Sequence, residues 1–482
     1  MTNATLLILG ATGDLTKRLL LPGIGSLIAG GDQGDLDLLE GLTLVGSARS
    51  EMNEEDWRDL VRTAFEGVDA SGDLADAIVG KAVYVQDDPT DPDAWTALLE
   101  AVQGEELVVY FALPPAVVGK VADVLKDADL PEQTVLAVEK PFGSDAESAA
   151  RLNAVLRAVV PEERIHRVDH FLGHRATLGM LALRFDNRLF DPIWNADDVE
   201  RVEIVYDEQL GLEGRAGYYD TAGALRDMLQ SHLLQVLAVV ATEAPATVDP
   251  VDLRDAIAAA LRATRLWEHG QVFPNTDAPS RRARYTAGDV GDRHLPAYTD
   301  EEGVDPDRGT ETLAEIALEV RTARWAGVPF VLRSGKAIGE PRDEIVLTVR
   351  PVRHRPDGQT GEGEPERIIL GFKPPRLRLQ LTAAGGSMPF GLEPEDVSGA
   401  LPKSAVTEYG EVIRGVLGND PTLSVRGDVA EQCWRIVQPI IDAWRSDAVP
   451  LEEYPAGSSG PADWPSLDGA GPDRKDAEEE NP

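Results

Sequence analysis

The residues TLLILG (5–10) form an unbroken apolar run of strand length near the N-terminus, and KRLLLPGIGSLIAGG after them reads as a helix. The alternation then repeats. LTLVGSAR (42–49) is a second apolar strand, followed by the helical EEDWRDLVRTAFEGV. ELVVYFALPP (106–115) and QTVLAVEKPFG (133–143) are further strands, each ending in a Pro-containing loop, and AESAARLNAVLRAVV (146–160) is a helix. Strands alternating with helices imply right-handed βαβ units, in which helices cover both faces of a parallel sheet. The pattern predicts an α/β, Rossmann-like, doubly wound domain over residues 1–165.

Beyond about residue 200 the period changes. VERVEIVYDEQLG, ALEVRTARW, DEIVLTVRPV, ERIILGFKPP and RLRLQLTAAG alternate apolar and polar positions, the signature of a half-exposed antiparallel sheet. Helical patterns lie between and after them, in ALRDMLQSHLLQVLAVVA (224–241), VDLRDAIAAALRAT and DVAEQCWRIVQPIIDAWRS. An α+β domain over 166–464 is expected, with a large, mainly antiparallel sheet packed by helices. The Pro-, Gly- and acid-rich stretch 465–482 is expected to be a disordered tail.

Composition narrows the function. The 482 residues are ample for two domains with their own cores, and the formal net charge of −38 argues against general nucleic-acid or anionic-membrane binding. An anionic substrate must then meet a local pocket of positive charge, which makes each Lys or Arg within a motif informative. The single cysteine, Cys433, excludes an intramolecular disulfide and any Cys-rich zinc site, and its helical context suits a buried apolar role. No apolar run reaches the ~18 residues of a membrane span. The N-terminus lacks a basic n-region, so a cytoplasmic address is expected.

Four stretches carry candidate chemistry. GATGDLTKR (10–18) lies between the first strand and first helix, where Gly10 permits a tight turn and Gly13 a close approach of backbone to pyrophosphate. The second strand ends in Ser47-Ala48-Arg49-Ser50, and an Arg there suits a 2′-phosphate, favouring NADP, although Glu51 leaves NAD open. EKPFG (139–143) places Lys140 at the end of a parallel strand, where it faces a cleft or solvent, and Pro141 fixes the turn, with a cis bond as one possibility. HRVDHFLGHR (166–175) spaces His166, His170 and His174 evenly beside Asp169, open to reading as a metal site, a phosphate cradle or half of a catalytic dyad.

In order and spacing as well as wording, GATGDLTKR, VGSARS, YFALPP, EKPFG, RVDHFLG, RFDNRLFDPIWN, EGRAGYYDTAGALRDMLQSHLLQ, GTETLAEIAL, RWAGVPFVLRSGK and YPAGSSGP add up. The chain resembles the glucose-6-phosphate dehydrogenase family along nearly its whole length. EKPFG also occurs in the related sugar dehydrogenases named for glucose–fructose oxidoreductase, but the stretches of the second half do not.

The resemblance implies oxidation of C1 of a sugar phosphate with NADP. RDMLQSH matches the motif of the base, so His232 takes that role, and Asp169 in RVDHF matches the carboxylate that orients it. Glu208 and Asp227 match acids that accept hydrogen bonds from sugar hydroxyls. Lys140, Lys336 and His170 match groups on the phosphate, and Arg342 aligns with a further basic residue in a spacing, GKAIGEPR, stretched by one. Gly10, Thr12, Gly13, Asp14, Leu15 and Lys17 would line the cofactor turn, with Ser47, Arg49 and Lys140. In the strand-to-helix context that the family implies, His166 is structural. On a strand it stands roughly 13 Å from His170, too far to share an ion, and hydride transfer to a nicotinamide needs no metal. A homodimer or homotetramer is implied as well.

The phosphate segment departs from the family's Arg-Ile-Asp-His-Tyr-Leu-Gly-Lys-Glu run: Phe171 stands for Tyr, His174 for Lys and Arg175 for the acid. A charge-assisted bond to phosphate contributes on the order of 1.5–3 kcal/mol, and Phe171 cannot make one. His174 substitutes for Lys when protonated. Ser231, beside the base, replaces a more usual Asn. These changes motivate two alternatives: a divergent member acting on another sugar, and a non-catalytic paralogue, against which Asp169, His232, Lys140 and Lys336 speak.

Overall fold

β1 (Ala4–Leu9), β2 (Thr43–Ala48), β3 (Val83–Gln86), β4 (Glu106–Phe111), β5 (Gln133–Glu139) and β6 (Ile165–Val168) form a parallel sheet in the order β6-β5-β4-β1-β2-β3. The structure, a computed structural model, describes residues 4–360, 364–385 and 390–464; the expected tail from 465 lies outside them. The strand Ser424–Val425 extends the sheet antiparallel to β6. Every residue of β1 is buried, as the apolar run predicts for a central strand covered on both faces. Between β1 and β4 the strand order reverses, and that switch point is where doubly wound folds bind ligands.

The helix Glu54–Glu66 illustrates how the covering helices form. Asn53 accepts the N–H of Asp56 through its side chain, and Trp57, Val61 and Phe65 repeat at four-residue spacing to bury one stripe. The first unit comprises Met1–Leu178, Thr242–Ala259 and Pro402–Trp434. It thus includes a helix from far along the chain, Glu408–Leu417, whose Thr407 cap donates to or accepts from Ser26 at 3.1 Å. A Cβ on Gly23 would lie 3.1 Å from that of Tyr409, so glycine lets the two helices meet. Cys433 is buried, as expected.

The second unit comprises Gly179–Ala241, Ala260–Leu401 and Arg435–Pro482. Its strands are β7 (Val199–Tyr206), β8 (Thr264–Leu266), β9 (Ser280–Thr286), the hairpin β10 (Gly288–Val290) and β11 (Arg293–Leu295), β12 (Leu313–Val320), β13 (Pro329–Gly335), β14 (Asp343–Val349), β15 (Arg367–Gly371), β16 (Arg376–Ala384) and β17 (Leu392–Ala400). The large sheet runs β17-β16-β15-β14-β7-β13-β12-β9 and ends in the strand Leu451–Pro455, with β8 beside β12. It is antiparallel except for β7 with β13 and β9 with Leu451–Pro455.

The expectation of a half-exposed sheet needs correction at its centre. All eight residues of β12 are buried, Glu315 and Glu319 among them. Glu315 pairs with Arg281 at 2.6 Å and Arg333 at 2.8 Å, and Arg333 also pairs with Asp207 at 3.0 Å. The guanidinium of Arg281 lies 4.1 Å from the Trp464 ring and 4.7 Å from that of Phe273. Cross-strand ion pairs and aromatic lids thus do for these polar positions what water would do on an open face. Among the described strands of the large sheet, β17 alone is exposed along nearly its whole length.

Candidate active site

In the first unit the turn after β1 is built for close backbone approach. Gly10 has φ +94°, and a Cβ there would lie 2.1 Å from the Ala112 carbonyl oxygen. Gly10 and Ala11 both donate to the Ser47 carbonyl, at 2.8 and 3.0 Å, which ties the turn to the end of β2. Thr12, Gly13, Asp14 and Leu15 follow at partly open or exposed positions leading into a helix, with Lys17 exposed on its first turns. Ser47 is buried, whereas Arg49 is exposed past the end of β2, and Thr12 and Ser50 face each other at 3.5 Å. A helix start, a glycine turn without a Cβ and an exposed arginine fit the pyrophosphate and 2′-phosphate of NADP.

β5 ends at Glu139, Lys140 follows it, and the Lys140–Pro141 bond is cis. The Glu139 carboxylate accepts from Tyr110 Oη at 2.6 Å and is hydrogen-bonded to Tyr409. Burial pushes its pKa up to about 7, against the opposing pull of Tyr110, Lys140 and Tyr409. The Asp169 carboxylate, also close enough to raise it further, caps the turn His170–Gly173 by accepting the Phe171 N–H at 3.1 Å. His170 stacks on Tyr409, with ring centroids 5.5 Å apart. Phe171 is 2% exposed and meets His174 edge-on at 4.8 Å. His174 is buried, its Nδ1 3.4 Å from a Glu408 carboxylate oxygen, and Arg175 turns to Glu411 at 3.4 Å. His166 is fully buried between Ser424 Oγ at 3.0 Å and Asn419 Oδ1 at 3.3 Å, the structural role expected of it.

In the second unit, His232 and Asp227 stand on the π-helix Leu225–Leu233, which continues as the α-helix Leu234–Ala241. Runs of π-helix are rare and recur at functional sites. The helix begins after Gly223 at φ +67°, where a Cβ would lie 2.3 Å from Glu311 Oε1. Glycine therefore lets the Glu311 carboxylate reach the helix start, where it accepts the Leu225 N–H at 3.0 Å. His232 is 2% exposed; Asp227 is half-buried and accepts from Tyr218 Oη at 3.4 Å.

Lys336, at the end of β13, forms an ion pair with Glu208, and its ammonium lies 5.1 Å from the centre of the Tyr219 ring. These two substrate candidates are brought together. The guanidinium of Arg342 pairs with Glu344 at 2.8 Å and Glu203 at 3.6 Å on neighbouring strands. Glu139, Tyr409, Glu311 and Tyr219 were not singled out by sequence reasoning, although EKPFG, GTETL and GYYDT contain three of them.

Residues 7–177 match the family model described as glucose-6-phosphate dehydrogenase, NAD binding domain, and residues 181–468 that described as glucose-6-phosphate dehydrogenase, C-terminal domain. The chain is 36% identical over 476 residues to the glucose-6-phosphate 1-dehydrogenase of Gluconobacter oxydans, covering 94% of each chain. It is 34% identical over 480 residues to that of Mycolicibacterium smegmatis, covering 95% of this chain and 94% of the relative. Among solved structures, glucose-6-phosphate 1-dehydrogenase from Mycobacterium avium is similar with a TM-score of 0.80 at 32% identity over 96% of both chains. A glucose-6-phosphate dehydrogenase in complex with its substrate glucose-6-phosphate is similar with a TM-score of 0.83 at 26% identity, again over 96% of both.

Proposed function

We propose, from the premise that this chain belongs to the glucose-6-phosphate dehydrogenase family, that it oxidises glucose 6-phosphate at C1 with His232 as the base. The protein is an NADP-dependent oxidoreductase acting on a CH–OH donor, and the product is 6-phospho-D-glucono-1,5-lactone, at the entry to the oxidative pentose phosphate pathway. The observation that carries the reading is a buried imidazole on a helix that Glu311 holds at its start, in a chain that agrees over 94% of its length with a glucose-6-phosphate 1-dehydrogenase.

When bound, the nicotinamide supplies the hydride acceptor. The chain supplies the rest. His232 takes the C1 hydroxyl proton as the carbonyl forms, and Asp169 takes the role of the carboxylate that favours the imidazolium. Glu208 and Asp227 accept from sugar hydroxyls. Lys336, Lys140, His170 and His174 are assigned to the phosphate, each a group able to carry positive charge within a chain of net charge −38. Arg342 is assigned to the same set, with Glu203 and Glu344 beside its guanidinium as Glu208 is beside Lys336. Gly10, Thr12, Gly13, Asp14, Leu15 and Lys17, with Ser47, Arg49 and Lys140, are assigned to the cofactor. We place NADP binding in residues 1–165 and substrate binding in 166–464.

We further propose a homo-oligomer formed through the outer strands of the large sheet, where Leu381, Val397 and Phe390 are exposed. Light scattering of the purified chain tests this, and a monomer at all concentrations overturns it. Among the described residues no helix is long and apolar enough to cross a membrane. A cytoplasmic address belongs to the same proposal, in keeping with a chain that carries one buried cysteine.

The assignment is tested by following NADP reduction with glucose 6-phosphate and with glucose. A kcat/KM ratio near one between the two sugars would sink the phosphate reading in favour of the divergent-sugar alternative. His232→Ala is expected to lower kcat by roughly 10²–10⁴. Unchanged turnover in that variant removes His232 from the chemistry.

A further inference from the structure

Lys336 sits on a turn that its own sequence does not favour. The next residue, Ala337, has φ +54° and is fully buried. A left-handed non-glycine residue is sterically costly and persists only where its surroundings over-determine it. Here they do. Lys336 N–H donates to Thr312 O at 2.9 Å, Ala337 N–H to Leu210 O at 3.0 Å and Ile338 N–H to Glu208 O at 3.0 Å.

The remaining restraints come from the end of the chain. The strand Leu451–Pro455 lies parallel to β9 with Tyr454 opposite Tyr285. Tyr454 Oη donates to the Lys336 carbonyl at 2.6 Å. Since a phenol has one proton, the 2.9 Å contact between Tyr454 Oη and Thr312 Oγ1 must then be donated by the threonine. Thr312 Oγ1 in turn accepts the Tyr285 N–H at 2.9 Å. A directed chain of three hydrogen bonds therefore ends on Lys336. Burial pushes the Tyr454 phenol far up, so it stays a donor. Gly457 N–H donates to Ala337 O at 2.8 Å, and a Cβ on Gly339 would lie 2.1 Å from Gly457 O. The segment YPAGSSG thus clasps the turn from Lys336 to Gly339 at several points.

We propose that Tyr454 is a positioning residue for substrate: its hydroxyl sets the Lys336 carbonyl, and through that backbone the reach of the ammonium toward the sugar phosphate. The inference rests on the reading of Lys336 as a phosphate ligand. A lysine stem is flexible, so the base of the stem decides which points its charge can cover. In the structure that charge is held by Glu208 and over Tyr219, on the side the turn dictates.

The test uses the full chain and Tyr454→Phe, which removes one hydroxyl and keeps the ring. KM for glucose 6-phosphate is expected to rise about fivefold, with kcat within about twofold and KM for NADP unchanged. A purely structural role would instead lower Tm and the active fraction, and leave KM where it was. Lys336→Ala raises KM on its own, and adding Tyr454→Phe to it raises KM no further. A normal KM in Tyr454→Phe, or a full additional rise on the Lys336→Ala background, overturns the proposal while leaving the role of Lys336 standing. A normal KM in Lys336→Ala overturns the phosphate reading itself and the positioning role with it. Should Tyr454→Phe fold poorly, Thr312→Val takes away the donor behind Tyr454 and is expected to raise KM in the same direction. An unchanged KM there counts against the proposal.

Discussion

Glu311 accepts the backbone N–H of Leu225 at 3.0 Å, joining the start of the helix that bears His232 to the loop before β12. The carboxyl is buried, and burial raises its pKa; the Leu225 N–H and the charges of Arg226 and Arg282 pull the other way. Glu311→Ala strips a buried N–H of its partner at the break after Gly223, at a cost of about 1–2 kcal/mol. The expected result is a lower Tm and a kcat reduced about tenfold, with Glu311→Gln close to wild type in both. Wild-type kcat in Glu311→Ala, measured by NADP reduction, would show that this contact does not place the base.

Phe171, which stands for the Tyr of the run that the resemblance implies, has its ring against His170 and His174. Phe171→Tyr adds a donor for the phosphate. KM for glucose 6-phosphate is expected to fall roughly three- to tenfold while kcat holds. A KM that does not fall would mean the phosphate is held elsewhere.

On the proposed reading of His174 as a phosphate ligand, an imidazole there gives phosphate binding a pH dependence that a lysine would not. An imidazole titrates near pH 6.5, so its cationic form fades as pH climbs to 8.5. Its neighbours are His170 at 5.9 Å between ring centres and the Glu408 carboxylate at 3.4 Å. KM for glucose 6-phosphate is expected to rise several-fold over that interval, and His174→Lys to flatten the profile. If both enzymes give the same profile, His174 is not a phosphate ligand.

Burial lowers the pKa of His166 to about 4. Because the folded value lies below the unfolded ~6.5, the unfolded chain binds more protons between the two, and stability rises with pH there. Acidification from pH 6.5 toward 4 therefore removes stability, by about 3 kcal/mol in all. His166→Gln, which keeps polar contacts for Ser424 and Asn419, is expected to lose less stability over pH 6.5–5 in urea melts. Parallel loss in variant and wild type would assign the acid sensitivity to other groups.

The sequence by itself determined the architecture and the type of chemistry. Short apolar runs bounded by turn residues, such as TLLILG, read as central strands, and the 2-residue period of DEIVLTVRPV reads as sheet, because both are local patterns. Motifs were equally legible: GATGDLTKR, EKPFG, RDMLQSH and RSGK are each a short continuous stretch, so residue type and spacing already state what each offers. The tertiary structure decided what no window of sequence contains. Tyr409 stacks on His170 from more than two hundred residues away, and Tyr454 holds the carbonyl of Lys336 across more than a hundred. The guanidinium of Arg342 lies beside Glu203 and Glu344, partners that no motif around it names. β17, with its Pro and acids, joins the sheet only because β16 offers an edge nine residues long. Contacts of this kind are chosen by packing and by the need to pair every buried polar group, and those constraints act between segments that are remote along the chain.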